Sequence, residues 1–326
     1  MPHFGDACLE GPRTRIIGGA VPDDRLRCGG PLPPTIAAPP TPPTPTTLDV
    51  RTIELPHTTL KIGTYGDGPP LIVLPATISL IEDWEALVRF AGRRYTACFF
   101  ELPGHGGSSP LAAPYRSELI AESVVDLADA LGFDRFSLLG FSFGGLLALR
   151  TLQLAESRID RVALFSPYVG KEALRHSRAK LLAVRSALLT LKPEIARRGV
   201  LGALKARPGA AAVAWFMHEI GKFETSSSLS TRLRGFTASS VDVLCAQVDE
   251  VLTTPTASLQ GPYTTPCVFG MSAHDPMLDF EVTRAFVNGS FVDVAEERWE
   301  LPYHAPPRPL TIEEYERDHA ALLDRR

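Results

Sequence analysis

Gly140-Phe141-Ser142-Phe143-Gly144 is the stretch on which the reading of this chain turns. Before it, Arg135-Phe136-Ser137-Leu138-Leu139 is an apolar segment of strand length; after it, Gly145-Leu146-Leu147-Ala148-Leu149-Arg150 opens a helix. A serine between two glycines at a strand-to-helix junction sits on a sharp turn that projects its hydroxyl clear of a sheet. Gly140 and Gly144 fit that geometry, because a side chain at either position would push strand and helix into the turn.

Outward from this point the chain alternates. Leu71–Leu74 is a continuous apolar strand, as expected when both sheet faces are covered. Ile81–Ala91 reads as helix, Thr96–Leu102 as strand, Arg116–Leu131 as helix and Phe136–Phe141 as strand. Gly144 to about Leu154 then reads as helix and Arg161–Phe165 as strand. Such alternation predicts right-handed crossovers and a mostly parallel central sheet with helices on both faces, an α/β fold. Val50–Leu55 and Thr58–Tyr65, parted by Pro56-His57, predict an antiparallel hairpin ahead of it.

After Pro167 the rhythm stops. Residues 171–240 show helical periodicity, with candidate helices at Lys171–Thr190, Pro193–Ala206 and Ala210–Ile220. This segment is read as a helical cap inserted over the sheet's ligand-binding edge. Val241–Leu252 is a further helix, Pro266–Met271 a strand, Asp279–Val287 a helix and Glu297–Leu301 the last strand. Thr311–Leu323 closes the chain as a helix whose capping box is Thr311 with Glu314. Residues 1–48, dense in Pro and Thr from Pro31 to Pro45, read as a disordered extension without a core of its own. The expected organisation is therefore an extension (1–48), a core (49–170 and 241–326) and a cap (171–240).

Composition sets bounds. The 326 residues are 44% hydrophobic and 21% charged, as in a globular protein. A net charge of −4 recommends neither nucleic acid nor an anionic membrane as partner. Five scattered cysteines without C-x-x-C spacing give neither a disulfide framework nor a zinc site, and a cytoplasmic setting is expected. No paired acids or metal-ligand spacing speak for glycosidase or metal-dependent chemistry, so no cofactor is expected.

A serine hydroxyl becomes nucleophilic when an adjacent base takes its proton, and a histidine base needs a carboxylate to fix its tautomer. Asp275, in Met271-Ser272-Ala273-His274-Asp275-Pro276, lies just past a strand's carboxyl end, where a parallel sheet gathers its functional loops. Asp279 is the evident N-cap of the next helix, which leaves Asp275 for the acid role. His304 follows the last strand in Leu301-Pro302-Tyr303-His304 and is the candidate base. His274 adjoins the acid, and His319, beside Arg317 and Asp318, reads as part of a solvated helix face.

The strand–Gly140–Gly144–helix unit, Gly270 through Pro276, and Glu101-Leu102-Pro103-Gly104-His105-Gly106-Gly107-Ser108 together resemble the α/β-hydrolase superfamily, in its capped form, from about Val50 to the C-terminus. The last stretch is similar to that family's D-x-P-G-x-G-x-S loop, with Glu101 in place of the usual aspartate and His105 in a structural role. The resemblance implies the chain order Ser142, Asp275, His304 for a catalytic triad. It also implies an oxyanion site built from the N–H groups of Phe143 and of Ala76 or Thr77. The latter two lie in Pro75-Ala76-Thr77-Ile78-Ser79, where a glycine-rich run is customary. A serine nucleophile sets the chain apart from the dehalogenase and epoxide-hydrolase branches. The implied activity is hydrolysis of a carboxylic ester or related small acyl compound through an acyl-enzyme. Thioesterase, C–C hydrolase, acyltransferase and cofactor-free haloperoxidase chemistry, or a non-catalytic binder of the same fold, are the alternatives. In the cap, Trp215, Phe216 and Met217 either line the pocket or form an ordinary buried stripe.

Overall fold

Apolar residues recur with period two along the central strands and split between two buried clusters, so both sheet faces are covered by helices. The computed structural model describes residues 47–326, apart from 78, 191–193, 222–229, 231–232, 307 and 325–326. Eight strands form one sheet: β1 (Asp49–Leu55), β2 (Thr58–Tyr65), β3 (Pro70–Leu74), β4 (Thr96–Phe100), β5 (Phe136–Phe141), β6 (Ile159–Phe165), β7 (Cys267–Ser272) and β8 (Val294–Trp299). Their order is β1-β2-β4-β3-β5-β6-β7-β8. β2 runs antiparallel to both neighbours, and every other pairing is parallel. The hairpin expected at the start of the sheet is β1 and β2, in register from Asp49 opposite Thr64 to Leu55 opposite Thr58.

On one face, Ile72 and Leu74 of β3 pack with α2 (Ser117–Ala130) and α3 (Phe143–Ala155). On the other, Leu71 and Val73 pack with α1 (Ile81–Ala91). Between β6 and β7 lie α4 (Arg178–Leu189), α5 (Glu194–Lys205), α6 (Arg207–Gly221) and α7 (Ala238–Thr253). The expected helix from Lys171 is instead a single 3-10 turn at Lys171–Ala173 followed by α4; Leu174 leaves that turn extended to bridge Leu278. α8 (Phe280–Ser290) is N-capped by Asp279, whose carboxylate accepts from Val282 N.

Further expectations need correction. The last strand runs over Val294–Trp299, because pairing with Cys267–Ser272 begins at Val294. The terminal helix is broken into α9 (Ile312–His319) and α10 (Ala321–Asp324), and His319 is buried between Phe165, Trp299 and Tyr315 rather than solvated. The capping box at Thr311 and Glu314 is present. Of the extension read for residues 1–48, all but Thr47 and Leu48 lie outside the described residues, and Leu48 packs on the α1 side of the sheet. Among the described residues no helix is long and apolar enough to cross a membrane.

Candidate active site

The turn from β5 to α3 holds Ser142 at φ 52° and ψ −115°, a region that a residue with a side chain adopts only when its surroundings impose it. The imposition is visible. Ser142 N donates to Phe165 O at 3.1 Å, and Ser142 O accepts from Gly145 N and Tyr168 N, both at 2.9 Å. The flanking glycines let the elements close in. A Cβ on Gly140 would stand 2.4 Å from Gly144 O, and one on Gly144 would stand 2.5 Å from Leu74 O.

Ser142 Oγ lies 2.8 Å from His304 Nε2, and His304 Nδ1 lies 2.7 Å from Asp275 Oδ2. The second oxygen, Asp275 Oδ1, accepts from Met277 N at 2.8 Å and Leu278 N at 2.9 Å. His304 is nearly buried and stacks on Phe141 at a centroid distance of 5.4 Å; Asp275 is fully buried. Burial pushes the Asp275 carboxyl up, but the hydrogen bond and charge of His304 and the two backbone N–H groups outweigh it, leaving it below the ordinary carboxylate range. A carboxylate with its pKa lowered by folding contributes stability above its unfolded pKa and loses it as pH falls through the folded one. Relative to Asp275→Asn, which keeps an acceptor for Met277 N and Leu278 N, the native chain is therefore expected to hold a constant stability advantage at neutral pH. That advantage should shrink only below about pH 4; urea titrations across pH measure it.

A hydroxyl absent from the sequence reading joins the two loops. Ser272, the last residue of β7, donates from Oγ to Leu301 O and accepts from Leu301 N at 3.0 Å and His274 N at 3.1 Å. It fastens the Asp275 turn to the segment leading to His304. Its only sequence signal is a serine at the end of a strand of apolar residues. Tyr168 was likewise missed: beyond its N–H bond to Ser142 O, its hydroxyl donates to Val251 O at 2.8 Å, tying α7 to the Ser142 turn. His274 points outward and pairs with Glu300 at 2.7 Å.

Phe143 is the first residue of α3 and is buried. Thr77, Ser142, Phe143 and His304 share the wall of one cavity of about 380 Å³, whereas the Ala76 side chain packs away with Phe141 and Phe165. The remaining wall is almost wholly apolar, with Leu181 and Val184 from α4, Val200 and Leu204 from α5, and Leu244 and Val248 from α7. Of the aromatic patch singled out in sequence, Trp215 is 64% exposed and faces away from this cavity wall, while the side chains of Phe216 and Met217 lie outside the described residues.

Behind the loop that carries Ala76 and Thr77 is a buried carboxylate. Glu101 Oε1 accepts from Ile81 N, at the start of α1, at 3.2 Å and from Lys61 Nζ at 3.0 Å; Oε2 accepts from Gly107 N at 2.6 Å. Glu101 thus caps α1 and pins the far end of that loop. Gly106, at φ 57°, is required here, since a Cβ would stand 2.1 Å from Glu101 Oε2. His105 is buried with its ring edge-on to Phe236.

Comparisons with known proteins agree with this architecture. Residues 69–201 match the family model described as alpha/beta hydrolase fold. The chain is similar to fluoroacetate dehalogenase from a Burkholderia species, 31% identical over 100 residues, covering 29% of this chain and 33% of that protein. It is also similar to a pimeloyl-[acyl-carrier protein] methyl ester esterase from Nitrosomonas europaea, 30% identical over 105 residues, covering 32% and 40% of the two chains. These matches span about a third of the length of those curated relatives. Among solved structures, a carboxylesterase, CesB, from Bacillus subtilis superposes with a TM-score of 0.61 at 17% identity, covering 86% of this chain and 91% of that one. A putative alpha/beta hydrolase from Nostoc reaches 0.66 at 16% identity over 86% and 99%. The chain has the α/β-hydrolase fold. Its residues 69–201 are similar to that family's model, and its sheet and helices superpose on solved members of the fold.

Proposed function

We propose that this protein is a serine hydrolase of carboxylic esters whose acyl part is a hydrocarbon chain. The observation that carries the reading is the hydrogen-bonded series Ser142–His304–Asp275, opening on an apolar cavity. Ser142 Oγ attacks the ester carbonyl while His304 Nε2 takes its proton. The tetrahedral intermediate then collapses, the C–O bond to the alcohol breaks, and His304 returns the proton to the departing alkoxide. Water, deprotonated by the same nitrogen, cleaves the acyl-enzyme and releases the carboxylic acid. Asp275 holds His304 with Nε2 toward Ser142 and stabilises the imidazolium. The N–H groups of Phe143 and of Ala76 or Thr77 are the proposed oxyanion donors. The helices α4 to α6 act as the cap, and their inner side receives the acyl chain.

A serine favours acyl chemistry over carbon–halogen displacement, because an alkyl group transferred to Oγ would form an ether that water does not cleave under these conditions. The cavity wall favours chain over charge: apart from His176 and Lys180 at the start of α4, its named lining away from Ser142, His304 and Thr77 is almost wholly apolar, so most of an acyl chain meets hydrocarbon. Each methylene taken from water contributes about 0.8 kcal/mol, so kcat/KM for p-nitrophenyl esters is expected to rise about fourfold per added carbon until the cavity is filled. Labelling by a fluorophosphonate, mapped to Ser142 by mass spectrometry, tests the nucleophile separately. Labelling with a flat or falling ester series would remove the acyl-chain assignment alone; no labelling of folded protein would remove the hydrolase reading.

A further inference from the structure

The charges of this chain are sharply divided. Residues 171–240 hold thirteen Lys and Arg against four Asp and Glu, a net charge of +9, whereas the whole chain carries −4; the remainder is therefore −13. The total speaks against an anionic surface as partner, but the distribution reverses that. Of the described cations of the segment, Lys171, Arg175, Arg185, Arg198, Lys205 and Arg207 are exposed, Arg185 beside Asp249 and Arg198 beside Glu194, whereas Lys180 and Arg234 are half-buried and Lys180 lines the cavity.

The same outer surface is apolar where a solvated one is expected to be polar. Leu182 on α4 is 65% exposed, Ile195 on α5 85% and Trp215 on α6 64%. Among the other exposed positions Ala183, Gly199, Gly202, Ala203, Ala211 and Ala212 are small, and the described exposed acid between them, Glu194, pairs with Arg198. Each of the three helices thus turns an apolar row toward the cavity or core and one large apolar side chain to the outside; Leu182 and Ile195 have Arg or Lys within a turn, and α6 carries Arg207 at its start. Basic side chains around exposed Leu, Ile and Trp are the pattern of helices that lie in a membrane interface.

We propose that the outer face of α4, α5 and α6 docks on an anionic lipid surface. The cations approach the headgroups, and Leu182, Ile195 and Trp215 enter the acyl boundary. The −13 remainder is repelled by the same surface, which orients the molecule with the cap toward the lipid. An acidic protein would satisfy the charge but would leave the three large apolar side chains without a counterpart, so lipid is the occupant the surface fits. The inner sides of these helices line the cavity, so docking brings the cavity's own wall to the phase in which an apolar ester is dissolved.

Flotation of the full chain with vesicles tests this without any need for turnover. Binding is expected to vesicles of phosphatidylcholine with phosphatidylglycerol, weak binding to phosphatidylcholine alone, and release by high salt. Trp215 is the most exposed of the three tryptophans, so emission should shift to the blue on binding. The triple variant Arg198→Glu, Lys205→Glu, Arg207→Glu should weaken binding at least about tenfold. Leu182→Ser with Ile195→Ser and Trp215→Ser should do the same, with unchanged far-UV circular dichroism in both. Three outcomes would overturn the proposal: equal binding to neutral and anionic vesicles, no flotation with either, or flotation that neither folded variant weakens. Retention on an acidic protein such as polyglutamate without flotation would overturn it in favour of a protein partner.

Discussion

Ser142→Ala is expected to lower ester turnover by roughly 10⁶-fold, the scale on which a serine nucleophile acting as a unit with its histidine is lost. The fold should survive the change. Ser142 Oγ is bonded to His304 alone among the contacts described for it, and the turn is held by backbone bonds from Phe165 O, Gly145 N and Tyr168 N that alanine keeps. The strained φ of 52° costs alanine about what it costs serine, so the melting temperature should move little. The measurement is kcat on a short p-nitrophenyl ester beside the thermal unfolding curve. A variant that retains a tenth of native turnover would remove Ser142 from the reaction, whatever its stability.

Glu101→Ala is expected to be the most destabilising of the substitutions considered, by about 3 kcal/mol or more. It strands two backbone donors, Ile81 N and Gly107 N, and leaves the partly buried Lys61 ammonium with only Glu82. Burial works against the Lys61 charge, and the hydrogen bonds and attraction of Glu101 and Glu82 raise its pKa despite that. Glu101→Gln keeps acceptance at one end and should cost less than the alanine. In urea, the midpoint should fall with an unchanged slope, since the loss is of stability and not of compactness. Because Ile81 N closes the loop that carries Ala76 and Thr77, the rate of fluorophosphonate labelling should fall in Glu101→Gln even where the fold is intact. An unchanged midpoint for the alanine would show that water replaces the carboxylate, and the bracing role would be lost.

Much of the fold is legible locally. The glycine pair around Ser142, the period-two division of β3 between two cores, the β1–β2 hairpin and the Asp279 N-cap each rest on a few neighbouring residues. Their physical reason is complete within that window. The position of Asp275 past β7 and of His304 past β8 is legible for the same reason, and the structure brings both to Ser142. What escapes is whatever depends on distant partners. His319 looks solvated beside Arg317 and Asp318. Yet Ile312, Tyr315, His319 and Leu323 fall three or four residues apart and share the packed side of the closing helices, a spacing that marks the buried face. The last strand is read too late, and only pairing with β7 reveals that it begins at Val294. Ser272 and Tyr168 gain their roles from loops far along the chain, and no window around either one contains the partner.

The hydrogen bond from Ser142 to His304 closes an interval of 162 residues, and the bond to Asp275 spans 29. Between Ser142 and His304 the chain must lay down α3, β6, the four helices α4 to α7, β7, α8 and β8. Contacts of such sequence separation carry the loop-closure entropy of everything they enclose, and they form late. On the proposed mechanism, a length that ends before His304 would hold the hydroxyl without its proton acceptor, and competence to react would report that the C-terminal third has arrived and paired.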